Sequence, residues 1–139
     1  MNEIPLLIVD AANVVGSVPD GWWRDRAGAT RRLRDALAPL ASEGLPPSPD
    51  VPDWLRQPPF ELVLVVEGAA KKVEGIDGVR VVSATGSGDD AIVELVQASA
   101  TGRPCAVVTA DRGLRARVTA LGAIVLGPRT VRPPSVRSR

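Results

Sequence analysis

The stretch PLLIVDAANVVGS, residues 5–17, decides the reading of this chain. Leu6, Leu7, Ile8 and Val9 run without a break into Asp10, and Asn13 follows three places later. An uninterrupted apolar run of strand length suits a strand covered on both faces, as in a parallel sheet. A carboxylate that closes such a strand needs a reason. Outward from it, FELVLVVEG (60–68), VRVVSA (79–84), PCAVVTAD (104–111) and AIVL (123–126) repeat the pattern and read as four further strands. Between them, residues 22–42, 89–100 and 112–121 carry apolar side chains near the 3.6-residue period and read as helices. Pro39 is expected to end or kink the first of these. Residues 44–59 are dense in proline and read as a long surface connection with no regular helix or central strand. Strands alternating with helices predict an α/β fold, with right-handed crossovers laying helices on both faces of a mainly parallel sheet.

The 139 residues suffice for one domain, and an apolar fraction of 45% supports a core without disulfides. Aromatic residues are only 3% of the chain, so aliphatic side chains must fill that core. The single cysteine, Cys105, sits in PCAVVTA and reads as a buried thiol. No apolar run is long enough to span a bilayer and no signal-peptide pattern opens the chain, so a cytoplasmic protein without membrane contact is expected. Histidine and tyrosine are both absent. That excludes Ser-His-Asp triads, Cys-His pairs and zinc sites of the histidine type, and leaves any catalysis to carboxylates. Charge is uneven: residues 112–139 hold seven arginines and no acid, whereas residues 1–111 hold ten basic groups against sixteen acidic. A basic end beside an acidic body points to a polyanionic partner. The expected division is a domain at 1–128 and a basic, poorly ordered tail at 129–139.

In an open parallel sheet, ligands gather beyond the carboxyl ends of the strands. Asp10, Glu67 and Asp111 fall at the ends of the first, second and fourth strands, and Asp89 and Asp90 open the helix after the third. Taken singly, each has an ordinary explanation. Asp10 and Asp111 can cap a turn or helix, Asn13 suits a turn, the helix dipole favours Asp89 and Asp90, and Glu67 can be a solvated strand end. Together, five carboxylates on one edge repel one another unless a cation neutralises them. With oxygen ligands only, that cation is expected to be Mg²⁺ or Mn²⁺. A strand end then gives Asp10 a rigid mount as a metal ligand, and Asn13 orients a carboxylate or a water from the next turn.

Arg112 and Arg115, one helical turn apart after Asp111, are placed to contact a phosphate. Arg24 and Arg26 stand beside Trp22 and Trp23, whose rings either stack on unpaired bases or pack against the first helix. RRLR (31–34) reads as a solvated helix face. The expected partner is RNA or single-stranded nucleic acid, and a homodimer or a protein partner is compatible with the sequence.

Four blocks taken in order, LLIVDAANVVGS, VVEG, TGSGDDAIVELV and AVVTADRGLRARV, resemble the NYN family of the PIN-like nuclease superfamily, especially its YacP-like bacterial branch. The resemblance spans about residues 4–126. It implies a three-layer α/β/α sandwich around a parallel sheet and divalent-metal-dependent hydrolysis of phosphodiester bonds, most often in RNA. The family's first-block aspartate and asparagine fall on Asp10 and Asn13, its helix-opening acid pair on Asp89 and Asp90, and its fourth-strand aspartate on Asp111. Where many relatives have Asp-Gly after the second strand, this chain has Glu67-Gly68. The expected catalytic set is therefore Asp10, Asp89, Asp90 and Asp111, and the expected metal ligands are Asp10, Glu67, Asp90 and Asp111. Substrate binding is expected from Asn13, Trp22, Arg24, Arg26, Arg112 and Arg115. A catalytically inactive PIN-like module that binds nucleic acid or protein is the alternative, and the toxin of a toxin–antitoxin pair is a third reading.

Other α/β readings lack their residues. A phosphoacceptor receiver needs an aspartate ending the third strand and a lysine ending the fifth, where this chain has VVSAT and IVLGP. A haloacid-dehalogenase-like phosphatase needs a second aspartate at the position of Ala12. DAANVVG lacks the glycine-rich turn of a dinucleotide-binding domain, and TGSGDD lacks the Gly-Lys-Thr/Ser ending of a phosphate loop.

Overall fold

In the computed structural model, which describes residues 4–17, 21–99 and 102–131, every expected strand is present. In chain order the elements are β1 (Leu6–Asp10), α1 (Ala11–Val15), α2 (Arg26–Glu43), α3 (Asp53–Arg56), β2 (Glu61–Val66), β3 (Arg80–Ser83), α4 (Gly88–Ala98), β4 (Cys105–Val108), α5 (Arg112–Ala120) and β5 (Ile124–Leu126). Short 3-10 turns lie at Trp22–Arg24, Gly68–Lys72 and Pro128–Thr130. The strands form one sheet in the order β3-β2-β1-β4-β5, and every neighbouring pair is parallel.

The period-two alternation of the central strands builds a separate core on each face. Leu7 and Val9 of β1, Leu62, Leu64 and Val66 of β2, and Ala106 and Val108 of β4 point into one core, with Val14 of α1 and Leu33 and Leu37 of α2. Leu6, Ile8, Val63, Val65, Cys105 and Val107 point into the other, against Ile92 and Val96 of α4 and Leu114 and Val118 of α5. Each fully buried aliphatic side chain contributes about 1.5–3 kcal/mol, which is how a chain so poor in aromatics fills both layers. The result is the expected α/β/α sandwich. Cys105 is buried, and loss of solvent pushes its thiol pKa up to about 11.

The crossovers explain where a site can form. The chain steps from β1 to β2 by way of the α1–α2 face, and from β4 to β5 by way of α5 on the opposite face. With right-handed crossovers, opposite directions require opposite faces. Neighbouring strands β1 and β4 therefore send their following segments apart, which opens a crevice beyond their carboxyl ends.

Three local expectations are corrected. Pro39 does not end its helix, because α2 continues to Glu43. The missing amide and the ring cost about 3 kcal/mol, but Pro39 is exposed, while Leu37 is fully buried and Ala38, Leu40 and Ala41 pack on the core. The helix ends at Gly44, which has φ 95° and sits where a Cβ would collide with the Arg56 carbonyl. The proline-rich stretch is not a plain surface connection either. It contains α3, buries Leu45, Val51 and Leu55, and is tied down by a hydrogen bond from the Leu45 amide to the Leu55 carbonyl. Finally, α1 follows β1 at once, in place of the simple turn that the sequence suggests.

Packing continues past the expected boundary at residue 128, since Val131 is buried in the core. Residues 132–139 of the expected tail lie outside the described residues. No helix among the described residues is long and apolar enough to cross a membrane.

Candidate active site

Strand parity aims Asp10. It shares the even-numbered alternation of Leu6 and Ile8, so its side chain leaves β1 toward the α4–α5 face, over the crevice between β1 and β4. Asp10 is buried, with 6% of its surface exposed. It also caps α1, accepting the Asn13 amide at 3.4 Å. Its second oxygen accepts the hydroxyl of Thr109 at 2.9 Å.

Thr109 belongs to the site although the sequence did not single it out. Its hydroxyl donates to Asp10 and accepts the backbone amide of Asp111 at 3.1 Å, joining the two carboxylate-bearing segments through one oxygen. A threonine closing the apolar run of β4 was the available signal. Asn13 adds a second tie, its Oδ1 accepting the Ala110 amide at 2.8 Å. Asp111 caps α5 by accepting the Leu114 amide at 2.8 Å through Oδ1. The ordinary capping explanation and placement in the site thus hold together for both aspartates.

From the other side, Ser87 caps α4 by accepting the Asp90 amide at 3.1 Å, and Glu67 accepts the Gly88 amide through Oε1. That contact fixes the first turn of α4, and with it Asp89, against the end of β2. Asp10, Asn13, Glu67, Ser87, Asp89 and Asp111 line one open cleft of about 380 Å³. Four of these are carboxylates and none is basic.

The electrostatics follow from that lining. The pKa of Asp10 is raised from 3.8 to about 6, first by burial, opposed by the Thr109 and Asn13 hydrogen bonds, and assisted by the charges of Asp89 and Glu67. The pKa of Asp89 is also raised, by burial and then by Asp111 and Glu67, against the opposing pull of Arg117.

The remaining expected residues are distributed around this cleft. Asp90, one position and about 100° of helix rotation from Asp89, does not line it. Asp90 pairs instead with Arg117 of α5 at 3.1 Å, a partner the sequence reading missed. Arg112 and Arg115 are exposed on α5 beyond Asp111. Trp23 is exposed, with the Arg24 guanidinium 5.9 Å above its ring. The side chain of Trp22 lies outside the described part of the structure. Arg26 opens α2 and borders an adjoining cavity rather than the cleft itself. Of RRLR, Arg31 and Arg32 are solvated as expected, whereas Leu33 is buried in the core and Arg34 is half-buried, its guanidinium donating to the Glu74 carbonyl at 2.9 Å.

The donor set is oxygen only and its negative charge lacks a basic neighbour within the cleft, which fits a hard divalent cation. The arrangement is open: among the described residues, no group of three or more His, Cys, Asp or Glu side chains is arranged to hold a metal ion.

No protein-family model matches the chain, and no curated protein matches it. Among solved structures, it is similar to Rae1 (YacP) from Bacillus subtilis, with a TM-score of 0.64 and 20% identity over 91% of this chain and 72% of that one. The likeness establishes a shared fold.

Proposed function

We propose that the chain is a divalent-metal-dependent ribonuclease that hydrolyses phosphodiester bonds at the cleft holding Asp10, Asp89 and Asp111. The observation that carries this reading is the convergence of four carboxylates from four separate segments on one open cleft, at the carboxyl edge of a parallel sheet. The sharing of a fold with a YacP protein supports it, because the four sequence blocks resemble that same branch.

In this reading Asp10, Asp89 and Asp111 are the acids of the cleft that would hold Mg²⁺ or Mn²⁺. When bound, the ion supplies an activated water and neutralises charge developing on the phosphate. The other parts of the reaction belong to the chain's own residues. Thr109 and Asn13 fix the β1 and β4 ends relative to each other, and Glu67 fixes the first turn of α4. Arg112 and Arg115 bind flanking phosphates of the strand, and Trp23 with Arg24 offers a stacking surface for an unpaired base.

Incubation of a mixed-sequence single-stranded RNA with the purified protein tests this. Cleavage is expected with Mg²⁺ or Mn²⁺, none in EDTA, and none from Asp89→Asn. RNA left whole under every condition, by a protein that still binds it, selects the inactive binding module. The open arrangement of the acids is what favours that second reading.

A further inference from the structure

The acidic cleft by itself repels a polyanion, since four carboxylates line it and no basic side chain does. Affinity for a nucleic-acid strand has to come from its rims. Arg112 follows Asp111 past the end of β4 and supplies one rim, with Arg115 one turn further along α5. The opposite rim lies past Glu67, where the chain leaves β2 and makes the 3-10 turn Gly68–Lys72.

That turn presents Lys71 and Lys72 side by side, both exposed, between two buried anchors, Ala70 and Val73. The Ala70 amide donates to the Glu67 carbonyl at 3.2 Å and the Val73 amide to the Ala70 carbonyl at 3.0 Å, so the backbone of the pair is already ordered. The Lys71 carbonyl accepts the hydroxyl of Ser83, the last residue of β3, at 3.1 Å. This contact places the turn by the carboxyl end of β3, on the far side of β2 from β1. Arg34 ties α2 to the same segment through the Glu74 carbonyl. Arg31, three positions earlier on the helix, shares that flank and is exposed. Among the described residues, no acid pairs with Arg31, Lys71 or Lys72. The acids of this segment, Glu74 and Asp77, follow the lysines, where the chain returns to the start of β3 at the opposite edge of the sheet.

Along the carboxyl edge the order is thus Lys71 beside β3, Glu67 at β2, Asp10 at β1, and Asp111 with Arg112 at β4. Cations flank the acids on both sides. The ends of β3 and β4 are three strand intervals apart, roughly 14 Å, which a single strand of a few nucleotides covers. We propose that Lys71 and Lys72, with Arg31 beside them, bind RNA phosphates on the side of the cleft opposite to Arg112 and Arg115. The strand then crosses the cleft along the carboxyl edge of the sheet. The inference rests on the RNA-cleaving reading above. All three are positioning residues, which hold the backbone of the strand and touch no reacting atom.

Binding tests this apart from cleavage. In an Asp10→Asn background, the affinity of a short single-stranded RNA is measured across a salt series, with and without Lys71→Gln and Lys72→Gln. The log-log slope should fall by about 0.7 for each phosphate no longer neutralised, so by about 1.4 for the pair. Adding Arg112→Ala and Arg115→Ala should lower it further by their own separate decrement, because the two rims hold different phosphates. A photoreactive group on one end of the same RNA should label the segment 68–74, and on the other end should label α5. An unchanged slope, or two ends that both label α5, overturns the proposal. In an enzyme that cleaves, the lysine variant should raise KM and leave kcat within about twofold. A lost kcat at unchanged KM would overturn the positioning role. A reduced slope and divided labelling in a protein that cleaves nothing support the path and remove the ribonuclease. Cleavage by the unsubstituted protein, with a slope indifferent to the lysines, does the reverse.

Discussion

Glu67, just past the end of β2, accepts the backbone amide of Gly88, the first residue of α4. A Cβ on Gly88 would stand 2.7 Å from Glu67 Oε1, so the glycine leaves room for the carboxylate to approach. An aspartate is one methylene shorter, which gives the glutamate at this position a reason of its own. Its carboxylate serves the helix end that carries Asp89.

The pair should behave as a unit. Glu67→Gln keeps the accepting oxygen and should stay within about 0.5 kcal/mol of the parent, whereas Glu67→Ala should lose about 1 kcal/mol, as for a removed cap. Gly88→Ala should destabilise the parent and cost less in the Glu67→Ala background, where nothing opposes the methyl group. Urea unfolding of the parent, both single variants and the double variant gives the coupling. Additive effects would show that Glu67 and Gly88 do not meet.

Thr109→Val should destabilise by about 1–3 kcal/mol, since it leaves the buried Asp10 oxygen and the Asp111 amide without their shared partner. The Thr109 hydrogen bond lowers the pKa of Asp10, so its loss should move that carboxyl further up. Carboxyl NMR titration of the metal-free protein reads this directly. An unmoved Asp10 would mean that the threonine only packs.

The raised carboxyls set a pH dependence. The folded protein holds the Asp10 proton up to about pH 6, while the unfolded chain releases it near 3.8. Stability from this group is therefore full below the unfolded value and lost as pH rises through the folded one, by on the order of 3 kcal/mol. Asp89 acts in the same direction. Metal-free protein should melt lower at pH 7 than at pH 4.5, and Asp10→Asn should flatten the difference. At pH 7, Mg²⁺ or Mn²⁺ at about a hundredfold excess over its Kd should restore about 2.7 kcal/mol. A melting temperature indifferent to both ions would argue against a formed site.

Replacement of Arg112 and Arg115 by alanine should weaken RNA binding and flatten its salt dependence. The log-log slope should fall by about 0.7 for each phosphate of a single strand that the arginines no longer neutralise. Folding should be unaffected because both side chains are exposed. An unchanged slope would place the strand elsewhere.

Much of this was legible in the sequence because parallel strands covered on both faces are unbroken apolar runs, and most of the runs here end near a carboxylate. Local periodicity could not show that Leu45, Val51 and Leu55 anchor a proline-rich segment, since their partners lie on distant elements. Pro39 misled for a similar reason: tertiary packing outweighed its local penalty. Asp89 and Asp90 are equivalent in composition and spacing. Only the contact of Glu67 with Gly88 and the pairing of Asp90 with Arg117 separate the acid in the cleft from the acid outside it. Thr109 stayed hidden because a hydroxyl at a strand end is ordinary until its two partners are known.

Asp10→Asn tests the central claim most directly, through two readings on one variant: melting in EDTA at pH 7, and RNA cleavage with Mn²⁺. Asparagine keeps the size and an oxygen for the α1 cap while removing a buried charge that faces Asp89 and Glu67. The account predicts a melting temperature equal to or above the parent's and cleavage reduced by a factor of about 100 or more. A variant that melts lower yet still cleaves RNA at the parent's rate would contradict it, because Asp10 would then be a cap and not part of a catalytic centre.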